Sequence, residues 1–267
     1  MTDKYMIKTV KTKNAETDTV IFGTGKQALV IIPGISAKPI TDSAGALSFA
    51  YKDFSFDYTV YVIDRKKDIR PPYSIEQMGE DTFDVMTSLG IENACVFGAS
   101  QGGMIAMYIA AYHPETVKKA VLGSTAAKLS SDSVSLMEKW SRLGSNGKVS
   151  ALFSDMITNI YSEEYIERYK AFLSAFASSG TAEECYKVAV LSKACMEFDF
   201  SEKLDMIKCP LLVIGSKKDK VLGSESSLLI SELTGCELYM YEGYSHAVYD
   251  EADDYKKRLI SFFSNNP

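Results

Sequence analysis

Gly98-Ala99-Ser100-Gln101-Gly102 follows the apolar run Ala94-Cys95-Val96-Phe97 and opens a segment of helical character from Gly103 to His113. A serine held at a sharp strand-to-helix turn projects its hydroxyl above the sheet. Glycines two residues to either side leave room for the tight backbone path and for close helix packing. The pattern therefore nominates Ser100 as a nucleophile carried by an α/β architecture.

A nucleophilic hydroxyl needs a neighbouring base that titrates near neutrality, and the chain holds two histidines, His113 and His246. His113 closes the helix that starts beside Ser100. At 1.5 Å per residue it stands about 18 Å away along the axis, where it reads as a C-terminal helix residue favourable to the dipole. His246 lies in Gly243-Tyr244-Ser245-His246-Ala247, between the strand-like run Leu238 to Tyr241 and a final helix, and is the candidate base. For the carboxylate that orients it, Asp219 follows the continuous apolar run Pro210-Leu211-Leu212-Val213-Ile214-Gly215. Asp219 could also serve only its own turn, as many aspartates after strands do. Glu242, Asp250 and Glu251 read as flanking or helix-start charges. The order Ser100, Asp219, His246 is the one expected when the nucleophile sits at an elbow in an open α/β sheet.

Working outward, Tyr5 to Val10 and Thr19 to Phe22 alternate as an antiparallel hairpin. The runs Ala28 to Ile32, Tyr58 to Ile63, Ala94 to Phe97, Val117 to Leu122 and Leu211 to Ile214 are separated by helical segments, the signature of a parallel sheet covered on both faces. Ser74-Ile75-Glu76-Gln77 resembles a capping box opening a helix through Met86. Between Lys128 and Glu202 the alternation stops. Four helices are expected there, roughly Ser131 to Leu143, Lys148 to Tyr161, Glu163 to Ser178 and Ala182 to Cys195. The division is thus a core of residues 1–127 and 203–267 and a helical lid of 128–202, placed over the carboxyl ends of the strands where ligands bind in such sheets. Most of the lid's apolar residues belong to its own core. Trp140, Phe153, Met156 and Tyr161 are the candidates for facing a substrate.

The chain has 267 residues, a net charge of -6 and a hydrophobic fraction of 46 %, ample for one large domain carrying an insertion. The charge argues against a nucleic-acid surface, which needs clustered lysine and arginine. Lys66-Lys67 and Lys256-Lys257-Arg258 read as solvated loop and helix faces. Five cysteines, Cys95, Cys185, Cys195, Cys209 and Cys236, lack metal-ligand pairing and imply a reducing cytosol. The amino-terminal residues carry no signal-peptide pattern, and nowhere do 18 apolar residues run together, so no membrane span is expected and the location is read as cytoplasmic.

Acyl transfer also needs donors aimed at the oxygen that becomes negative. The backbone N–H of Gln101 is the first, and the turn Pro33-Gly34-Ile35-Ser36 supplies the N–H of Ile35 as the second, although Pro33-Gly34 would also serve as a plain turn dipeptide. At this point the chain resembles the α/β-hydrolase superfamily over essentially its whole length. The landmarks are Gly98 to Ala106, His113-Pro114-Glu115, Val121-Leu122, Ile207-Lys208-Cys209-Pro210 to Asp219, and Gly243 to His246. Val121 to Lys128, followed by Trp140 and Arg142, is similar to 3-oxoadipate enol-lactonases. The resemblance implies a mostly parallel eight-stranded sheet with an antiparallel amino-terminal hairpin, helices on both faces and a helical lid. That superfamily usually shows His-Gly at the oxyanion turn, and Pro33 stands in place of the histidine; because the donor is a backbone N–H, the change bears on loop support more than on catalysis.

These readings converge on a metal-free, cofactor-free serine hydrolase acting on a small-molecule ester, thioester or lactone through an acyl-enzyme. The same groups could serve peptide, amide or C–C hydrolysis, or a lyase reaction; a peptidase would need a lid carboxylate for the substrate amine, with Glu163, Glu164, Glu183 and Glu184 as choices. A ligand-sensing protein on the same scaffold is the third reading.

Overall fold

The computed structural model describes residues 5–265, so residues 1–4 of the amino-terminal reading lie outside the described part. Among these, eight strands form one sheet in the order β1-β2-β4-β3-β5-β6-β7-β8. They are β1 (Tyr5–Lys11), β2 (Glu16–Phe22), β3 (Gln27–Ile32), β4 (Tyr58–Lys66), β5 (Ala94–Ala99), β6 (Val117–Gly123), β7 (Leu211–Ser216) and β8 (Glu237–Tyr241). β1 and β2 form the antiparallel hairpin and β2 pairs antiparallel with β4, while every pairing from β4 through β3 to β8 is parallel. β5 is buried along its whole length, and its side chains alternate between two cores. Ala94 and Val96 belong to one, Cys95 and Phe97 to the other, as period-2 geometry requires of a strand covered on both faces.

Helices α2 (Ile75–Ser88), α3 (Gln101–Tyr112) and α9 (Ser224–Thr234) cover the first face; α1 (Ala44–Ala50) and α11 (Tyr255–Ser264) cover the second. α2 begins at the capping box read from the sequence. Ser74 Oγ accepts from Gln77 N and Gln77 Oε1 accepts from Ser74 N. α3 has no polar stripe because ten of its twelve residues are buried, held between the sheet, α2 and the insertion that follows β6. β3 sits between β4 and β5, so the chain leaves β3 to one side and reaches β5 on the other. The loops after β3 and β5 therefore part at the carboxyl edge and leave a crevice there.

Between β6 and β7 lie α4 (Ser131–Ser145), α5 (Val149–Ile160), α6 (Glu163–Arg168), α7 (Lys170–Ser178) and α8 (Ala182–Glu197). The stretch Glu163 to Ser178, expected as one helix, is two: the backbone bends at Tyr169 (φ −113°, ψ 20°), whose ring meets Tyr165 at a tilt of 47°, and Tyr165 stacks on Tyr161. α4 and α8 pack closely, because a Cβ on Gly144 would stand 2.3 Å from Cys185 O. The two ends of the insertion meet at a neck, where Lys128 pairs with Asp199 and Phe200 N donates to Ala127 O. Lys66 and Lys67 are not a free loop run. β4 extends to Lys66 opposite Thr17, Lys66 pairs with Asp81, and Lys67 pairs with Glu16 and Asp18 across the hairpin. No helix among the described residues is long and apolar enough to cross a membrane.

Candidate active site

Ser100 joins β5 to α3 with φ 53° and ψ −122°, a conformation that costs an L-residue on the order of 1–3 kcal/mol. The surroundings hold it there: Ser100 N donates to Gly123 O, and its carbonyl accepts from Thr125 Oγ1 and Gly103 N. The two flanking glycines are sterically required. A Cβ on Gly98 would stand 2.3 Å from Gly102 O, and one on Gly102 would stand 1.9 Å from Ile32 O.

Asp219 follows β7 and uses one oxygen for two tasks. Oδ1 accepts from Val221 N (2.8 Å) and Leu222 N (2.9 Å), the local turn the sequence allowed, and also faces His246 Nδ1 at 3.0 Å. Oδ2 lies 2.9 Å from the same nitrogen, and both side chains are 3 % exposed. A buried imidazole pinned through Nδ1 presents Nε2 outward, as the orienting role demands. The loop bearing His246 is fixed from both sides: Ser216 Oγ donates to Tyr244 O, Ser245 Oγ to Asn159 O, and Ala247 N to Ile160 O. His113 is elsewhere, stacked on Phe83 with Nε2 at 3.0 Å from Glu80.

Ser100 and His246 line one cavity of about 360 Å³ together with Gly34 and Ile35. Among the described residues no hydrogen bond uses the N–H of Ile35 or of Gln101, and Gly34 lies so near Ser100 that a Cβ there would be 3.0 Å from Ser100 Cβ. Trp140, Met156 and Tyr161 also line the cavity. Phe153 does not: it is buried against Phe176 inside the insertion. Tyr51, Tyr249 and Asp250 are also part of the wall, three residues not singled out for it from the sequence. No group of three or more His, Cys, Asp or Glu side chains with metal-holding geometry occurs among the described residues.

Arg65 was also missed. Its buried guanidinium donates to Pro33 O (2.7 Å) and to Gln101 Oε1 from both Nε (3.3 Å) and Nη2 (3.2 Å). It thus ties together the two segments that carry the free N–H groups, the loop support that Pro33 put in question. Gln101 Nε2 in turn donates to Leu191 O of α8.

The sheet order, the elbow serine and the buried His–Asp pair define an α/β-hydrolase. Residues 74–253 match the family described as serine aminopeptidase, S33, and the chain belongs to that family. Among curated relatives, "Putative carbamate hydrolase RutD" of Agrobacterium fabrum is 26 % identical over 192 residues, 70 % of this chain and 74 % of that protein. 3-oxoadipate enol-lactonase 2 of Acinetobacter baylyi is 27 % identical over 153 residues, 56 % of this chain and 55 % of that protein. Among solved structures, MGS-M2, an α/β-hydrolase enzyme from a deep-sea metagenome library, superposes with a TM-score of 0.86 at 24 % identity and covers 98 % of each chain. The protein is a hydrolytic enzyme of this superfamily, with likeness to enol-lactonases.

Proposed function

We propose that the protein is a serine hydrolase that cleaves a small carboxylic ester, thioester or lactone through an acyl-enzyme intermediate. The observation that carries this reading is the His246 Nδ1 contact with both Asp219 oxygens, made by an imidazole that shares its cavity with Ser100. In this mechanism His246 Nε2 takes the Ser100 proton as Oγ attacks the carbonyl, and Asp219 stabilises the imidazolium. The N–H groups of Ile35 and Gln101 bind the oxyanion. The imidazolium then protonates the leaving alcohol or thiol, and a water activated by the same nitrogen hydrolyses the ester on Ser100. Residues 128–202 act as a lid, with Trp140, Met156 and Tyr161 as its contribution to the substrate wall.

The amide reading asked for a carboxylate on the lid. Glu163 and Glu164 are exposed, and Glu183 and Glu184 line a different cavity, so none of the four supports it at this site. The test is Ser100→Ala, which removes the nucleophile. Turnover of p-nitrophenyl acetate is expected to fall by 10⁴-fold or more, as an order of magnitude. Labelling by a fluorophosphonate probe disappears with it while the melting temperature holds. Retained turnover and labelling in that variant refute the assignment.

A further inference from the structure

Asp250 is an ionisable residue on the cavity wall that the acyl-transfer chemistry does not use. It sits on α10 (Val248–Glu251), four residues beyond His246, and its backbone N–H closes a turn onto Ala247 O. No side chain or backbone group among the described residues bonds its carboxylate, and no cation lies within salt-bridge range of it. Lys256 and His246 act on it only through space, the Lys256 ammonium donating to Tyr249 O and standing over the Tyr51 ring at 5.7 Å. The adjacent Glu251 is occupied as well, accepting from Ser162 N and Ser162 Oγ and so tying the catalytic loop to the start of α6. Among the described residues that line this cavity, Asp250 is the one that carries a carboxylate, and no hydrogen bond holds it. Its side chain is exposed and lines the cavity, and the surrounding protein raises its pKa by burial.

Three tyrosines of the same wall, Tyr51, Tyr161 and Tyr249, lie near enough to feel its charge. A carboxylate without a hydrogen-bond partner beside three rings is costly to keep ionised, and the ligand group that relieves the cost is a cation, which the ring faces also attract. A neutral substrate leaves the carboxylate unbonded, and an anionic one opposes it.

We propose that Asp250 makes this enzyme selective for substrates carrying a cationic group, a primary or quaternary ammonium, close to the scissile acyl bond. The inference rests on the serine-hydrolase reading above and names the substrate class for that site. The ammonium could belong to the acyl part or to the leaving group, and two matched pairs distinguish them. The first sets p-nitrophenyl 4-(trimethylammonio)butanoate against p-nitrophenyl 5,5-dimethylhexanoate, identical in shape and different in charge. The second sets acetylthiocholine against 3,3-dimethylbutyl thioacetate. In the wild type kcat/KM is expected to favour the cation at least tenfold in one pair. Asp250→Asn is expected to cut that preference at least tenfold, mainly through KM, because the neutral twin in the same variant absorbs any general loss of activity. Equal turnover of both twins in both pairs by the wild type overturns the inference without recourse to the variant, and so does an undiminished preference in Asp250→Asn. Charge-indifferent turnover that still depends on Ser100 sinks this inference alone, whereas no turnover and no fluorophosphonate labelling of the wild type sinks the hydrolase reading with it.

Discussion

Adding one methyl group at Gly102 tests whether the turn at Ser100 and the turn after β3 are set by backbone contact. A Cβ there would stand 1.9 Å from Ile32 O and 2.6 Å from both Ile32 C and Pro33 O. All three are main-chain atoms. Ile32 is locked into the sheet opposite Gly98, so it cannot rotate away as a side chain would. Real Cβ contacts do not fall below 3.0 Å, so the start of α3 and the end of β3 must part by at least 3.0 − 1.9 = 1.1 Å. That movement separates the N–H of Gln101, on α3, from the N–H of Ile35, on the turn after β3. Misplacing catalytic groups by about 1 Å costs on the order of 10²-fold in rate, and losing one oxyanion donor costs about as much. Overpacking of a close-packed site adds a destabilisation of roughly 1–3 kcal/mol. Gly102→Ala is therefore expected to lower kcat on p-nitrophenyl acetate about 100-fold, normalised to serine titrated with fluorophosphonate, and to lower the urea midpoint. Gly45→Ala is the control, since its Cβ would meet Tyr5 Cε1 at an ordinary 3.7 Å in α1; it is expected to be neutral or stabilising by up to roughly 1 kcal/mol. A Gly102→Ala enzyme with kcat within threefold of wild type and an unchanged midpoint would refute the steric reasoning.

Arg65→Lys is expected to be far from conservative. A single ammonium cannot span Pro33 O and Gln101 Oε1 as the guanidinium does, so a buried acceptor loses its partner at about 1–3 kcal/mol in urea denaturation, and kcat drops about tenfold through the displaced donors; unchanged values of both would show the network to be incidental. Asp250→Asn has a pH-dependent stability signature. The carboxyl pKa of Asp250 is raised in the fold by burial, so the folded state resists its ionisation: the penalty is absent below the unfolded pKa and complete above the folded one. The asparagine variant is thus expected to melt higher than wild type at pH 7 and to lose that advantage as the pH falls through the folded pKa, and calorimetry showing the variant less stable at pH 7 would contradict it.

What was legible in the sequence is what the backbone itself requires. Gly98 and Gly102 are glycines because main-chain atoms occupy the place of their Cβ, and the parallel strands are short apolar runs because both faces are covered. Asp219 and His246 could be nominated because each follows a strand that the same runs identify. Illegible were the residues whose role depends on where a side chain points after the fold has closed. Arg65 stands in Asp64-Arg65-Lys66-Lys67, a run that looks solvated in one dimension, yet β4 carries it under the turn after β3, where its partners lie 32 and 36 residues away. Asp250 has the local sequence of a helix-start acid, and only the loop that returns from His246 turns it into the cleft. Phe153 and Met156 share a stripe of α5 at helical spacing, so period alone treats them alike. The axial rise between them, about 4.5 Å over three residues, decides the difference. Met156, with Ile160 and Tyr161 beyond it, reaches the cavity, while Phe153, nearer the start of the helix, meets Phe176 and the space left by Gly180. Hydrophobic periodicity fixes the direction a residue faces but not its depth along the axis, and in an insertion that borders a cavity it is depth that separates a lining residue from internal core.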